Sequence, residues 1–151
     1  MDNILIKIIS DETFLTILSG IIVFIISQII FEFIIKPREE FNKLKGEIIC
    51  CLTMYDNVIA NPLKYNDIKK VRENKEYLDA SKNIRLISSR FAGILESHKF
   101  VCRKKKYYSV TNNLIRLSNN LWIDKRSKDD IYNENLKLEN EIKRKFKIKQ
   151  N

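Results

Sequence analysis

Apolar residues fill one continuous stretch near the start of the chain and then recur at helical intervals. Residues 14–35, FLTILSGIIVFIISQIIFEFII, carry a single charge, Glu32. As a helix this run of 22 residues rises about 33 Å, enough to cross the hydrocarbon core of a bilayer. It exceeds the apolar core of a signal peptide, and no small-x-small cleavage pattern follows it. Residues 3–9, NILIKII, are too short to cross and are expected to lie on the outer surface or to extend the helix.

After the run the pattern becomes amphipathic. Phe41, Leu44, Ile48, Cys51, Leu52, Tyr55 and Ile59 recur mostly three or four apart, which predicts a helix over 38–60 that serves as a stalk. Pro37 permits a kink or restart at its head, and Asn61-Pro62 ends it. A second helix is predicted over about 67–97, with Leu78, Ile84, Ile87, Phe91, Ile94 and Leu95 on its core face. A third covers 109–122 with Val110, Leu114, Leu117 and Leu121. The last covers 128–147 with Ile131, Leu138, Ile142 and Phe146. Ser127 and Asp130 loosely fit a capping box at its start, with Asp in place of Glu or Gln. Its sparse apolar face is expected to need a partner chain.

The expected architecture is therefore all-α. One N-terminal transmembrane helix is followed by an antiparallel bundle of about four helices. The expected divisions are an extracytoplasmic tip at 1–13, the membrane helix at 14–35, the stalk at 36–62 and a basic domain at 63–151. Composition agrees: 3 Gly and 2 Pro in 151 residues disfavour turn-rich β architectures.

Charge adds orientation. Residues 1–35 hold one basic residue, Lys7, and four acidic ones, Asp2, Asp11, Glu12 and Glu32. Removing these from the totals of 28 and 19 leaves 27 basic and 15 acidic residues, a net +12 in a chain of +9. Asp11 and Glu12 precede the apolar run, and Lys36, Arg38, Lys43 and Lys45 follow it. By the positive-inside tendency the N-terminus faces outward and the C-terminal domain lies in the cytoplasm. The basic excess attracts anions such as headgroups, nucleic acid or nucleotides, or else serves solubility.

Within the apolar run Thr16, Gly20, Val23 and Ser27 share one face, a spacing suited to close helix–helix approach. Gln28 and Glu32 lie on a neighbouring face, where Glu32 either pairs with Lys36 or lines an oligomer interior. These six residues are the candidates for association of membrane helices.

No catalytic motif is present. The single histidine, His98, supports no triad, and no P-loop, HExxH or GxGxxG occurs. No enzyme activity, cofactor or metal is expected. Cys50, Cys51 and Cys102 are expected to stay reduced, and His98 with Cys102 lacks the second ordered pair that a zinc site needs. The strongest local signal is Lys99, Arg103, Lys104, Lys105 and Lys106, followed by Tyr107 and Tyr108. Such a cluster fits phosphate binding with base stacking, contact with an anionic membrane, or a solvated loop. Arg85 and Arg90 are further candidates.

Residues 27–48 (SQIIFEFIIKPREEFNKLKGEI), 80–91 (ASKNIRLISSRF) and 113–122 (NLIRLSNNLW) resemble a loosely defined group of small bacterial membrane proteins with one N-terminal anchor and a helical cytoplasmic domain. The resemblance implies a bacterial source, the inner membrane and the architecture above, and no functional residue. By layout alone the chain is also similar to membrane effectors of antiphage systems, which join a short membrane part to a cytosolic sensor. The expected partners are thus the lipid bilayer, further copies of the chain, a nucleotide or nucleic-acid ligand, and a partner protein. The expected function is a membrane-anchored binding effector, the alternative a scaffold that tethers a partner.

Overall fold

A computed structural model describes residues 12–62, 74–98, 104–121 and 126–147, with only the backbone given for Lys104 and Lys105. Every regular element among them is helical: α1 (Glu12–Ile30), a π-helical turn (Phe31–Ile35), α2 (Lys36–Met54), α3 (Asp56–Ala60), α4 (Lys75–Ser97), α5 (Lys104–Asn120) and α6 (Lys128–Lys145). The chain divides into two compact units, Met1–Arg38 and Glu39–Asn151.

In the first unit Pro37 acts through the turn before it. Proline has no N–H, and in a regular α-helix its ring would strike the carbonyl four residues earlier. The chain inserts a π turn there instead of a kink or restart, and the Lys36 N–H donates to the Phe31 carbonyl.

The second unit is a bundle built from α2, α4, α5 and α6, with α3 at one end. Ile48 and Leu52 of α2, Ile84 and Phe91 of α4, Leu114 and Leu117 of α5, and Ile142 of α6 are fully buried in one core. Each such side chain contributes about 2 kcal/mol through burial. The stretch expected to be a stalk thus supplies Leu44, Ile48 and Leu52 to the same core as the later helices. The last helix buries Ile131, Leu138, Ile142 and Phe146 inside its own chain, so its face needs no partner copy.

Three boundaries differ from the pattern reading. Tyr55 (φ −104°, ψ 15°) interrupts the predicted 38–60 helix. Beyond it, the adjacent Val58 and Ile59 are both buried. α5 starts at Lys104 rather than at 109. Lysine is a good helix former, and Tyr107 extends the stripe of Val110 and Leu114 by one turn. α4 begins at Lys75, where the Asn74 side chain accepts from the Glu76 N–H. The earlier start at 67 lies outside the described residues. The Ser127 cap forms as expected on one side, with its Oγ accepting from the Asp130 N–H at 3.1 Å. The Asp130 carboxylate meets the Ser127 hydroxyl rather than its backbone (2.7 Å).

α4 and α5 pack antiparallel through small polar residues. Ser81 Oγ donates to the Ser118 carbonyl (3.0 Å), and seven residues further along α4, Ser88 Oγ donates to the Thr111 carbonyl (3.1 Å). At the α3 end, buried Asn135 donates to the Ile59 carbonyl (2.9 Å) and accepts from Asn120 Nδ2 (2.8 Å). Arg126 donates to Asn120 Oδ1 at 3.0 Å. At the other end Phe41, Phe91, Tyr107 and Phe146 form an aromatic cluster with centroids 5.0–6.3 Å apart.

Candidate membrane helix and cationic surface

Every described residue from Glu12 to Lys36 is exposed, with Phe24 at 67% and Phe33 at 71%. Among the described residues one helix is long and apolar enough to cross a membrane. Exposing so many Ile and Phe side chains to water is very unfavourable.

The hydroxyls of Thr16, Ser19 and Ser27 on this helix are satisfied locally. Thr16 Oγ1 donates to the Glu12 carbonyl (2.8 Å) and Ser27 Oγ to the Val23 carbonyl (2.7 Å). Such back-bonding removes the need for a partner in lipid. A Cβ at Gly20 would meet nothing within 4 Å. Thus Thr16, Gly20, Val23 and Ser27 form an open strip on this helix. Glu32 pairs with Lys36 at 2.7 Å, one of the two arrangements expected for it, and the Lys36 ammonium lies 5.8 Å from the Phe31 ring centroid. Gln28 is exposed.

The basic candidates separate. Lys99 and Arg103 lie outside the described residues, and the side chains of Lys104 and Lys105 are not described. Lys106 is half-buried, its ammonium 5.2 Å from the Tyr107 centroid. Tyr107 does not offer a free face for stacking a base, because its ring belongs to the aromatic cluster. Tyr108 donates its hydroxyl to Glu96. Arg85 and Arg90 point to different neighbours. Five residues turn a helix by about 140°. Arg90 is held by Glu47 (2.6 Å), while Arg85 donates to Asn119 and lines a cavity of about 420 Å³ with Ser81, Lys82 and Asn119.

Pattern reasoning missed the charged group on the α5–α6 side. Arg116 and Arg126 both donate to Glu134. The hydrogen bond from Arg126, opposed by burial and aided by Arg116, holds that carboxyl below its ordinary range. No spacing rule joins residues 116, 126 and 134, because they meet only when α5 and α6 pack.

Among the described residues no group of three His, Cys, Asp or Glu could hold a metal ion. His98 lies 3.5 Å from Glu40, and Cys102 is outside the described residues. Burial, and then neighbouring Cys50, push the Cys51 thiol up to about 11.

These features define an all-α protein with one candidate membrane helix and a helical bundle. No protein-family model, curated protein or solved structure matches the chain.

Proposed function

We propose that the chain is a non-enzymatic, single-pass membrane-anchored binding module. The observation that carries this reading is the helix whose apolar side chains are all exposed, in a chain whose bundle seals its own core. The anchor lies in a bacterial inner membrane, with the N-terminus outside and the bundle in the cytoplasm, as the flanking charge favours. The cavity beside Lys82 and Arg85 takes a phosphate-rich ligand, a nucleotide or nucleic acid, or an acidic segment of a partner. Association of the anchors along Thr16, Gly20, Val23 and Ser27 would couple binding to the bilayer, as in an antiphage effector.

The second reading is a scaffold that tethers a partner protein without permeabilising the membrane. The Glu32–Lys36 pair favours it, since that carboxylate already has its counter-charge within one helix.

The anchor is tested by alkaline carbonate extraction of membranes. Retention in the pellet supports it, and release of the full chain overturns it. Lys82→Gln with Arg85→Gln should weaken nucleotide or RNA binding by the detergent-solubilised chain about tenfold or more. Unchanged affinity removes that cavity as the site. Dye leakage from expressing cells separates effector from scaffold.

A further inference from the structure

The bundle is polarised in charge along its length, which the linear sequence conceals. The aromatic cluster brings together the start of α2 (Phe41), the end of α4 (Phe91), the start of α5 (Tyr107) and the end of α6 (Phe146). Those segments carry Lys43 and Lys45, Lys106, and Lys143, Arg144, Lys145 and Lys147. Lys43, Arg144 and Lys147 are exposed. The Lys45 ammonium lies 5.7 Å from the Phe146 centroid, which ties the first group to the last.

Of the carboxylates at this end, Glu47 and Glu139 meet cations of the bundle itself, Arg90 and Lys143. Glu40 meets His98, Glu96 accepts from Tyr108 and Glu141 from Asn113. Glu39 is exposed. The opposite end, where Asn135 meets Ile59, carries Asp56, Glu76, Asp79, Asp129 and Asp130 against Lys75, Arg126 and Lys128. Among the described residues one end is thus cationic and the other carries more acidic than basic side chains.

The cationic end is also the end at which the chain enters the bundle. Phe41 follows Ile35, the last apolar residue of the candidate span, by six positions. Covalent reach alone keeps the two within about 20 Å. A bilayer holding the apolar helix therefore holds this end near its headgroups.

We infer that the cationic end of the bundle, Lys43, Lys45, Lys106, Arg144, Lys145 and Lys147, lies against the anionic phospholipid headgroups of the membrane that holds the apolar helix. Ammonium and guanidinium groups bind lipid phosphate by charge and direct hydrogen bonds. The stems of Lys45 and Lys106 run beside aromatic rings, an arrangement suited to an interface with one apolar and one charged side. The contact sets the orientation of the domain on the membrane and leaves the acidic end facing the cytoplasm. The inference rests on the anchor proposed above but not on the cavity at Arg85.

The full chain is incorporated into nanodiscs of phosphatidylcholine, with or without phosphatidylglycerol, and its lysines are acetylated and quantified by peptide mass spectrometry. Phosphatidylglycerol should slow acetylation of Lys43, Lys45, Lys106, Lys145 and Lys147 about fivefold. Lys75 and Lys128, at the acidic end, serve as the internal reference and should not change. High salt should remove the difference. Equal slowing at both ends, or none, overturns the headgroup contact while leaving the anchor standing. Protection of the same lysines by ATP or RNA in phosphatidylcholine discs, without slowing by phosphatidylglycerol, overturns it in favour of a soluble phosphate ligand. A chain that does not enter the discs overturns the anchor and, with it, this inference.

Discussion

Ser81 and Ser118 hydrogen-bond to each other's backbone. Ser81 Oγ lies 3.0 Å from the Ser118 carbonyl oxygen, and Ser118 Oγ lies 3.1 Å from that of Ser81. Both residues are buried, and the reciprocal pair lets α4 and α5 approach closely without stranding a hydroxyl. Ser81→Ala should cost about 1 kcal/mol, read by urea denaturation. Ser81→Leu should cost about 2–3 kcal/mol, because the site has no room for it. A neutral Leu substitution would show that the contact is loose.

Asn135 makes a sharper case. It is fully buried and joins the Ile59 carbonyl to the Asn120 amide. Asn135→Ala strands both partners and should cost about 2–4 kcal/mol. Asn135→Asp places an anion against a carbonyl oxygen and should destabilise the fold further at neutral pH than at acid pH. Thermal melts at two pH values would check the order of the two variants and the sign of the pH effect.

Glu134 predicts a specific acid limb. Its folded carboxyl titrates below the ordinary range, chiefly through Arg126. A depressed folded value means that its stabilisation is complete above the unfolded pKa of about 4.3 and fades as pH falls through the lower folded value. Both arginines are substantially exposed, so solvent screening limits the effect to about 1 kcal/mol. Glu134→Gln should lower stability at pH 7 and flatten the loss between pH 4.3 and the folded value. A variant with an unchanged acid limb would remove Glu134 from that role.

The adjacent thiols should react unequally. Cys50 is exposed, whereas Cys51 is half-buried with its thiol pushed up to about 11. At pH 8 only about a thousandth of Cys51 is thiolate, the reactive form. Maleimide labelling followed by peptide mapping should therefore modify Cys50 well before Cys51. Equal rates would mean that α2 opens at this turn.

Gly20 tests the strip on α1. A side chain there meets nothing within its own chain, so Gly20→Leu should leave the bundle's melting unchanged. If copies of the chain meet along that strip, the mass measured in detergent should fall toward one chain. An unchanged mass together with an unchanged melt would exclude the strip as the contact.

Much of the bundle was legible from spacing. Val110, Leu114, Leu117 and Leu121 were placed on one face by the 3.6-residue period alone, and all are buried. Helical periodicity is a local property, and a stripe at that spacing has few other uses. The candidate cationic site was less legible. Arg90 and Arg85 look equivalent in sequence, yet one is held by Glu47 and the other lines a cavity. Tyr107 reads as a stacking residue beside lysines but is part of the core.

The sequence by itself determined the apolar span, the all-α class and most of the core faces, because each depends on period, length and composition within one segment. In α4, however, Leu78 lies outside the core while Tyr77 and Ala80 enter it. Tertiary structure alone decided what the polar residues do. Ser81 meets Ser118, Asn135 meets Ile59, and three separated basic segments gather at one end of the bundle. Those partners lie far apart along the chain. Only the packing of the antiparallel helices sets the distances on which hydrogen bonds and charge depend.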